Sequence, residues 1–183
     1  TKKVALELGE SVSALMDMPF CFYKCTSLVG VAAIPKGVKD MTSCFDSCKS
    51  LTQAPVLPEG VMKMSGCFLD CTVLTKAPAI PKGVEDMKSC FASCTNLTQA
   101  PAIPEGVKDM GYCFRKCTSL TKAPASIPAS VENMSQCFEK CASLTEVPTS
   151  IPASVTEMSG CFRDCKVLTS VTLKCNYGAG KFG

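Results

Sequence analysis

The 183 residues include no His and no Trp. Without His the chain lacks the commonest general base, the Ser-His and Cys-His nucleophile pairs and the most usual zinc ligand. An excess of one charge is missing too. Lys plus Arg is 19 against 16 Asp plus Glu, a formal charge of only +3. That balance gives no electrostatic reason to expect nucleic acid or an acidic membrane as the main partner. No apolar run reaches the roughly 18 residues of a membrane span, so membrane insertion is not expected. The segment Thr1-Lys2-Lys3-Val4-Ala5-Leu6-Glu7 has no signal-like apolar region and begins without Met, which fits a processed chain or an excised fragment.

What is abundant is Cys, 15 in all, near the roughly 8% at which a disulfide or metal scaffold is suspected. The cysteines are part of a repeat that covers nearly the whole chain. From Leu51 the chain reads LTQAPVLPEGVMKMSGCFLDCTV, from Leu74 LTKAPAIPKGVEDMKSCFASCTN, and from Leu97 LTQAPAIPEGVKDMGYCFRKCTS. Two further copies start at Leu120 and Leu144, a looser one at Leu28, and the second half of another ends at Ser27. The leading cysteine recurs at Cys21, Cys44, Cys67, Cys90, Cys113, Cys137 and Cys161, a period of 23 and then 24 residues. Both late increases are one extra residue ahead of Ile127 and Ile151, in ASIPAS and TSIPAS. A loop that absorbs an insertion while every apolar column survives lies on the surface.

A unit this short cannot bury its own apolar face and must stack on its copies. The recurring Leu, Ile, Val, Met, Cys, Phe and Cys columns are therefore predicted to point inward. LTxA is predicted to form one short rung of a parallel sheet. Pro55, Pro78, Pro101, Pro124 and Pro148 share the next column, and each removes a ladder donor, so strands of only three or four residues are expected. VxxM reads as a second short strand or arc. CFxxC places three residues at i, i+1 and i+4, which face one way on a single helical or 3₁₀ turn.

The pattern L-T-x-x-x-x-I-P-x-x-V-x-x-M-x-x-C-F-x-x-C resembles the BspA-like leucine-rich repeats of bacterial surface proteins. Val131-Glu132-Asn133-Met134-Ser135-Gln136-Cys137-Phe138-Glu139-Lys140-Cys141 matches the family's second half closely. Seven copies in register, over residues 11–173, carry the resemblance; a Cys stands where the family usually has Ala or Met. The resemblance implies a solenoid on secreted or surface-attached proteins, often associated with adhesion, and no chemistry of its own.

Four roles compete for the cysteines. The favoured one is a disulfide ladder in an oxidising compartment. A bridge between i and i+4 needs a distorted turn. Zigzag pairs between repeats would be Cys25–Cys44, Cys48–Cys67, Cys71–Cys90, Cys94–Cys113, Cys117–Cys137 and Cys141–Cys161, each closing a loop of about 20 residues worth roughly 3 kcal/mol. That scheme leaves Cys21 alone and Cys165 to pair with Cys175 or stay free. The alternative is reduced core filler under a Phe column. Metal binding is disfavoured by the absence of His, and redox catalysis by the absence of C-x-x-C.

Outward columns hold whatever function resides here. The candidate binding face is the Thr and following residue of each LTx: Thr52 and Gln53, Thr75 and Lys76, Thr98 and Gln99, Thr121 and Lys122, Thr145 and Glu146. A separate column alternates in sign through Lys36, Glu59, Lys82 and Glu105, and stacking is expected to make those opposite charges neighbours. Aligned threonines are good strand residues in their own right; ice binding usually wants two such columns, and the neighbouring ones here are charged or Pro. Asn96-Leu97-Thr98 and Asn133-Met134-Ser135 fit the N-glycosylation triplet, a weak signal in a Ser- and Thr-rich chain. KCNYGAGKFG at 174–183 breaks register and reads as the start of a truncated further unit.

Together these observations predict one right-handed leucine-rich-repeat-like solenoid over residues 1–183, with short parallel strands and one helical or 3₁₀ turn per repeat. The expected role is a non-enzymatic, extracellular or bacterial cell-surface module that binds a protein or glycan, with no cofactor and no metal. Its rival is a structural spacer with no ligand.

Overall fold

The computed structural model describes residues 4–6 and 17–174. The expected further unit, apart from Lys174, lies outside the described residues, as does Cys175. Successive repeats stack in register around one continuous core. Strand β1 (Val4–Leu6) pairs in parallel with β2 (Leu28–Val31). Later repeats keep only isolated parallel bridges, such as Gln99 to Lys122 and Lys122 to Glu146. Proline explains the contrast. Leu28–Val31 is followed by Ala32, whereas Leu51–Ala54 runs into Pro55, and its successors run into Pro78, Pro101, Pro124 and Pro148. A proline at that level denies each later rung a donor and halts the ladder.

The second half of each repeat does not form the helical or 3₁₀ turn expected from CFxxC; no helix occurs among the described residues. Two consecutive hydrogen-bonded turns replace it. In one repeat the Cys44 N–H donates to the Met41 carbonyl and the Cys48 N–H to the Phe45 carbonyl, both at 3.1 Å. The residue immediately before each of the two cysteines is left-handed: Ser43 has φ 50° and Ser47 φ 61°. That conformation recurs in all seven arcs, at twelve non-glycine residues and at Gly66 and Gly160. A left-handed residue every few positions cannot continue a right-handed helix.

The turns release alternate N–H groups outward. Met41, Ser43, Phe45 and Ser47 donate to the carbonyls of Lys63, Ser65, Cys67 and Leu69 of the next repeat at 2.7–2.9 Å. Equivalent bonds join every later pair of arcs through Lys140 to Arg163. The strain of the left-handed residues is thus offset by a hydrogen-bonded stack that no single repeat forms alone.

Packing follows the predicted columns. Val, Met, both cysteines, Phe and Leu are inaccessible to solvent throughout the middle repeats, as with Val84, Met87, Cys90, Phe91, Cys94 and Leu97. The phenyl rings from Phe22 to Phe162 form one parallel column with centroids 5.1–5.7 Å apart. That spacing exceeds the ~4.8 Å between adjacent strands, as expected of parallel rings stacked with an offset.

Candidate ligand-binding face and thiol core

All ten residues of the candidate face, Thr52, Gln53, Thr75, Lys76, Thr98, Gln99, Thr121, Lys122, Thr145 and Glu146, are exposed in the structure. Several are already engaged between repeats. The hydroxyls of Thr52, Thr121 and Thr145 donate to the carbonyls of Val29, Thr98 and Thr121 at 3.1–3.3 Å. Lys122 Nζ lies 3.0 Å from Glu146 Oε1. These residues brace their own stack.

The middle of the face differs. Thr52 and Thr121 are tied by backbone bonds to the repeat before, and Ala100 and Ala123 to the repeat after. No backbone bond from Thr75, Lys76 or Ala77 reaches either neighbouring repeat among the described residues. Notches flank this segment on both sides. One of about 540 Å³ lies between Thr52–Ala54 and Thr75–Ala79. Another, of about 390 Å³, lies between Lys76–Ile80 and Gln99–Ala102. A third, of about 440 Å³, continues the line past Lys122 and Glu146. Ala and Pro floor these notches; Thr, Gln and Lys rim them.

The expected ion ladder through Lys36, Glu59, Lys82 and Glu105 does not form: all four are exposed, and none makes an ion pair among the described residues. They sit on the outer corner beside the chain reversal, where water solvates each charge and screening leaves little gain from contact. Opposite charges meet in other columns instead: Lys63 with Asp40 at 3.7 Å and Lys108 with Glu85 at 3.5 Å.

The strongest charge contact was not anticipated. Glu139 has no solvent exposure, because Arg115 and Arg163, one repeat to either side, cover it. Arg115 Nε stands 2.6 Å from one carboxylate oxygen and Arg163 Nη2 2.5 Å from the other. Burial raises its pKa, but the hydrogen bonds and charges of the two guanidinium groups win and hold it below the usual carboxylate range. The signal was in the sequence: positions 115, 139 and 163 read Arg, Glu, Arg in one column.

A second overlooked column is structural. Asp40, Asp86, Asp109 and Asn133 each accept, through a side-chain oxygen, the N–H two residues on, at 2.7–2.9 Å. Those N–H groups fall between the outward ladder donors, so the Asx side chain satisfies what the stack leaves over. Asn133, in the second glycosylation triplet, is half-buried and committed to this bond. Asn96 is exposed.

The cysteines stand in two adjacent columns beneath the phenyl stack. All fourteen described cysteines are thiols in this structure, eleven of them buried. Cys48, Cys71, Cys94, Cys117, Cys141 and Cys165 each donate Sγ–H to the carbonyl of the Phe one repeat earlier, at 3.1–3.2 Å. Burial pushes the thiols up, Cys48 and Cys94 to about 12 and Cys165 to about 11. Thiolate chemistry is suppressed there. Among the described residues, only Cys21 and Cys25, on the first arc, are exposed cysteines. No group of three metal-ligating side chains is assembled among the described residues.

Residues 6–121 and 87–179 match the family described as BspA type Leucine rich repeat region. Among solved structures, a leucine-rich repeat protein of T. pallidum is similar at 27% identity and a TM-score of 0.75, covering 92% of this chain and 79% of its own. A leucine-rich repeat protein of Bacteroides ovatus shares the fold at 22% identity and a TM-score of 0.69, covering 87% of this chain and 40% of its own. No curated protein matches the sequence.

Proposed function

We propose, from the premise that this chain belongs to the BspA-type leucine-rich repeat family, that it is a non-enzymatic binding or adhesion module of a secreted or bacterial cell-surface protein. Its ligand is a protein or glycan laid along the LTxA face. The observation that carries this reading is the segment Thr75–Ala79, unlinked by backbone bonds through Thr75, Lys76 and Ala77 and flanked by a notch on each side. Backbone groups not bonded to a neighbouring rung, Ala and Pro floors and a rim of Gln and Lys suit an extended polar ligand with small apolar anchors. No helix among the described residues is long and apolar enough to cross a membrane.

Screening the chain against glycans and extracellular proteins tests the reading, with Lys76→Glu plus Ala79→Asp as the face variant and Lys39→Glu as a control on another column. A ligand lost by the first and kept by the second supports it. A ligand indifferent to the face, or no ligand at all, favours the second reading, a rigid spacer. That rival has its own support: the hydroxyls of Thr52, Thr121 and Thr145 and the Lys122–Glu146 pair serve the stack rather than solvent.

The zigzag pairing of Cys25–Cys44 through Cys141–Cys161 belongs to the same proposal for an oxidising compartment. It would exchange the thiol-to-carbonyl bonds for covalent staples between neighbouring repeats. Intact mass before and after alkylation, with non-reducing peptide mapping, reads the pairing directly. Fifteen alkylated thiols in protein purified without reductant would rule the ladder out.

A further inference from the structure

We propose that the ligand of the LTxA face is a linear anionic polysaccharide with a uronic acid at every second sugar, laid along the stack at one sugar per repeat. The proposal rests on that face being the binding surface and adds the class of ligand. The second residue after each Leu is exposed and reads Gln53, Lys76, Gln99 and Lys122. An amide and an ammonium therefore alternate with a period of two rungs. Parallel bridges hold Gln99, Lys122 and Glu146 in register, and the notches set Lys76 between Gln53 and Gln99. The two lysines thus stand two rungs, about 10 Å, apart. An extended disaccharide is about that long. A carboxylate on alternate sugars would meet a lysine each time, with the neutral sugar between them at a Gln.

Charge and shape bound the track. Lys76 makes no ion pair among the described residues and can take a carboxylate. Beyond Lys122 the column turns acidic at Glu146, which lies 3.0 Å from Lys122 Nζ and would repel a further uronate. Before Gln53 the column holds Gly30, which offers no side chain. The track is four rungs long and fits a tetrasaccharide. Ala77, Pro78, Ala100 and Pro101 line one notch and give a pyranose ring a C–H surface to lie on. Spacing decides against a peptide. Notches recur at successive rungs, about 4.8 Å apart, whereas a strand laid along the stack turns the same side down about every 6.6 Å. A polyproline helix does so about every 9 Å, at alternate rungs only. Neither places a group at every notch, and a sugar chain does.

The test is calorimetric titration of the 183-residue chain with fragments of hyaluronan and of unsulfated chondroitin, both alternating uronate and N-acetylhexosamine. Affinity should rise about tenfold or more from disaccharide to tetrasaccharide, where the second lysine engages, and should fall with added salt. Lys76→Gln should weaken binding about tenfold. Lys82→Gln, on the outer corner, should leave it unchanged. Glu146→Gln should tighten it about threefold by releasing Lys122. All three residues are exposed, so the melting temperature should hold in each variant. A chain that binds neither polymer overturns the proposal, as does equal affinity for neutral chitin fragments or for a Glu-Pro-Pro repeat peptide. A neutral glycan or a protein that binds, and is lost with Lys76→Glu plus Ala79→Asp, would leave the face as the binding surface and remove only the anionic polysaccharide. Uronate polymers that bind this double variant as tightly as the parent would sink both.

Discussion

The inner arc and the LTxA face obey different rules within one repeat. Every arc from Met41–Cys48 to Met134–Cys141 makes the same turns, the same four outward bonds and the same ring stack. The face makes backbone bonds at some junctions and none from Thr75, Lys76 or Ala77. Redundant, buried bonding holds the repeats at a common rise, and that frees the face to vary without cost to the stack. Stability is concentrated in the arc; room for a ligand is left on the face.

The largest way to break the contrast is alkali. The buried thiols have pKa values raised above the ordinary 9.0, chiefly by burial. A raised folded value leaves stability intact below pH 9 and removes it above, where the unfolded chain ionises first. Each thiol subtracts about 1.4 kcal/mol per pH unit, so eleven acting together make the loss of order 15 kcal/mol per unit. Urea unfolding of the fully reduced protein, monitored by circular dichroism, should show a collapse within one unit above pH 9. A gentle slope would mean that the thiols ionise in the folded state.

Truncating the ring column comes next. Phe91→Ala should cost about 3–5 kcal/mol in denaturant unfolding, whereas Val56→Ala, at a side chain 84% exposed on the face, should stay within about 0.5. Equal effects would erase the distinction between arc and face.

A smaller effect sharpens the account of the arc itself. Gly66 is left-handed, and an added Cβ would meet Ser43 Oγ at 3.0 Å. Gly66→Ala should destabilise by about 1 kcal/mol. Ser93→Gly, at the same kind of backbone, should be nearly neutral, since relieved strain is offset by the entropy glycine loses on folding. Melting temperatures of the two variants against the parent decide it.

The smallest effect is expected in acid. Glu139 is held below its ordinary value of 4.5, so its contribution is present above that pH and is lost as pH falls through its folded value. Glu139→Gln should destabilise the protein modestly at pH 7 and flatten the dependence of stability on pH between 5 and 3. An unchanged acid profile would show that Arg115 and Arg163 do no more than shield the carboxylate from water.

Much of this was legible from residue columns. The inward positions were read from recurrence alone, and the shortness of the strands from prolines in one column, with Ala32 marking where a strand survives. The arc was misread for a definable reason. Spacing i, i+1, i+4 is compatible with a helical turn, and the residues that rule one out, such as Ser43, Ser47, Lys116 and Lys140, carry no glycine signal for their left-handed backbone. Their conformation is imposed by bonds to the next repeat. The Asp40, Asp86 and Asp109 column was visible as a pattern, but its purpose depends on which N–H groups the ladder leaves unpaired.

Periodicity by itself determined that the units stack and which columns are buried, because a unit this short must cover its apolar face with its copies, and the residues in those columns carried the resemblance to the family. Only the tertiary structure decided how each arc turns, which charges meet and where the face opens. Those depend on the offset between one repeat and the next, and a few tenths of an ångström there settle whether a donor reaches a carbonyl or a notch remains.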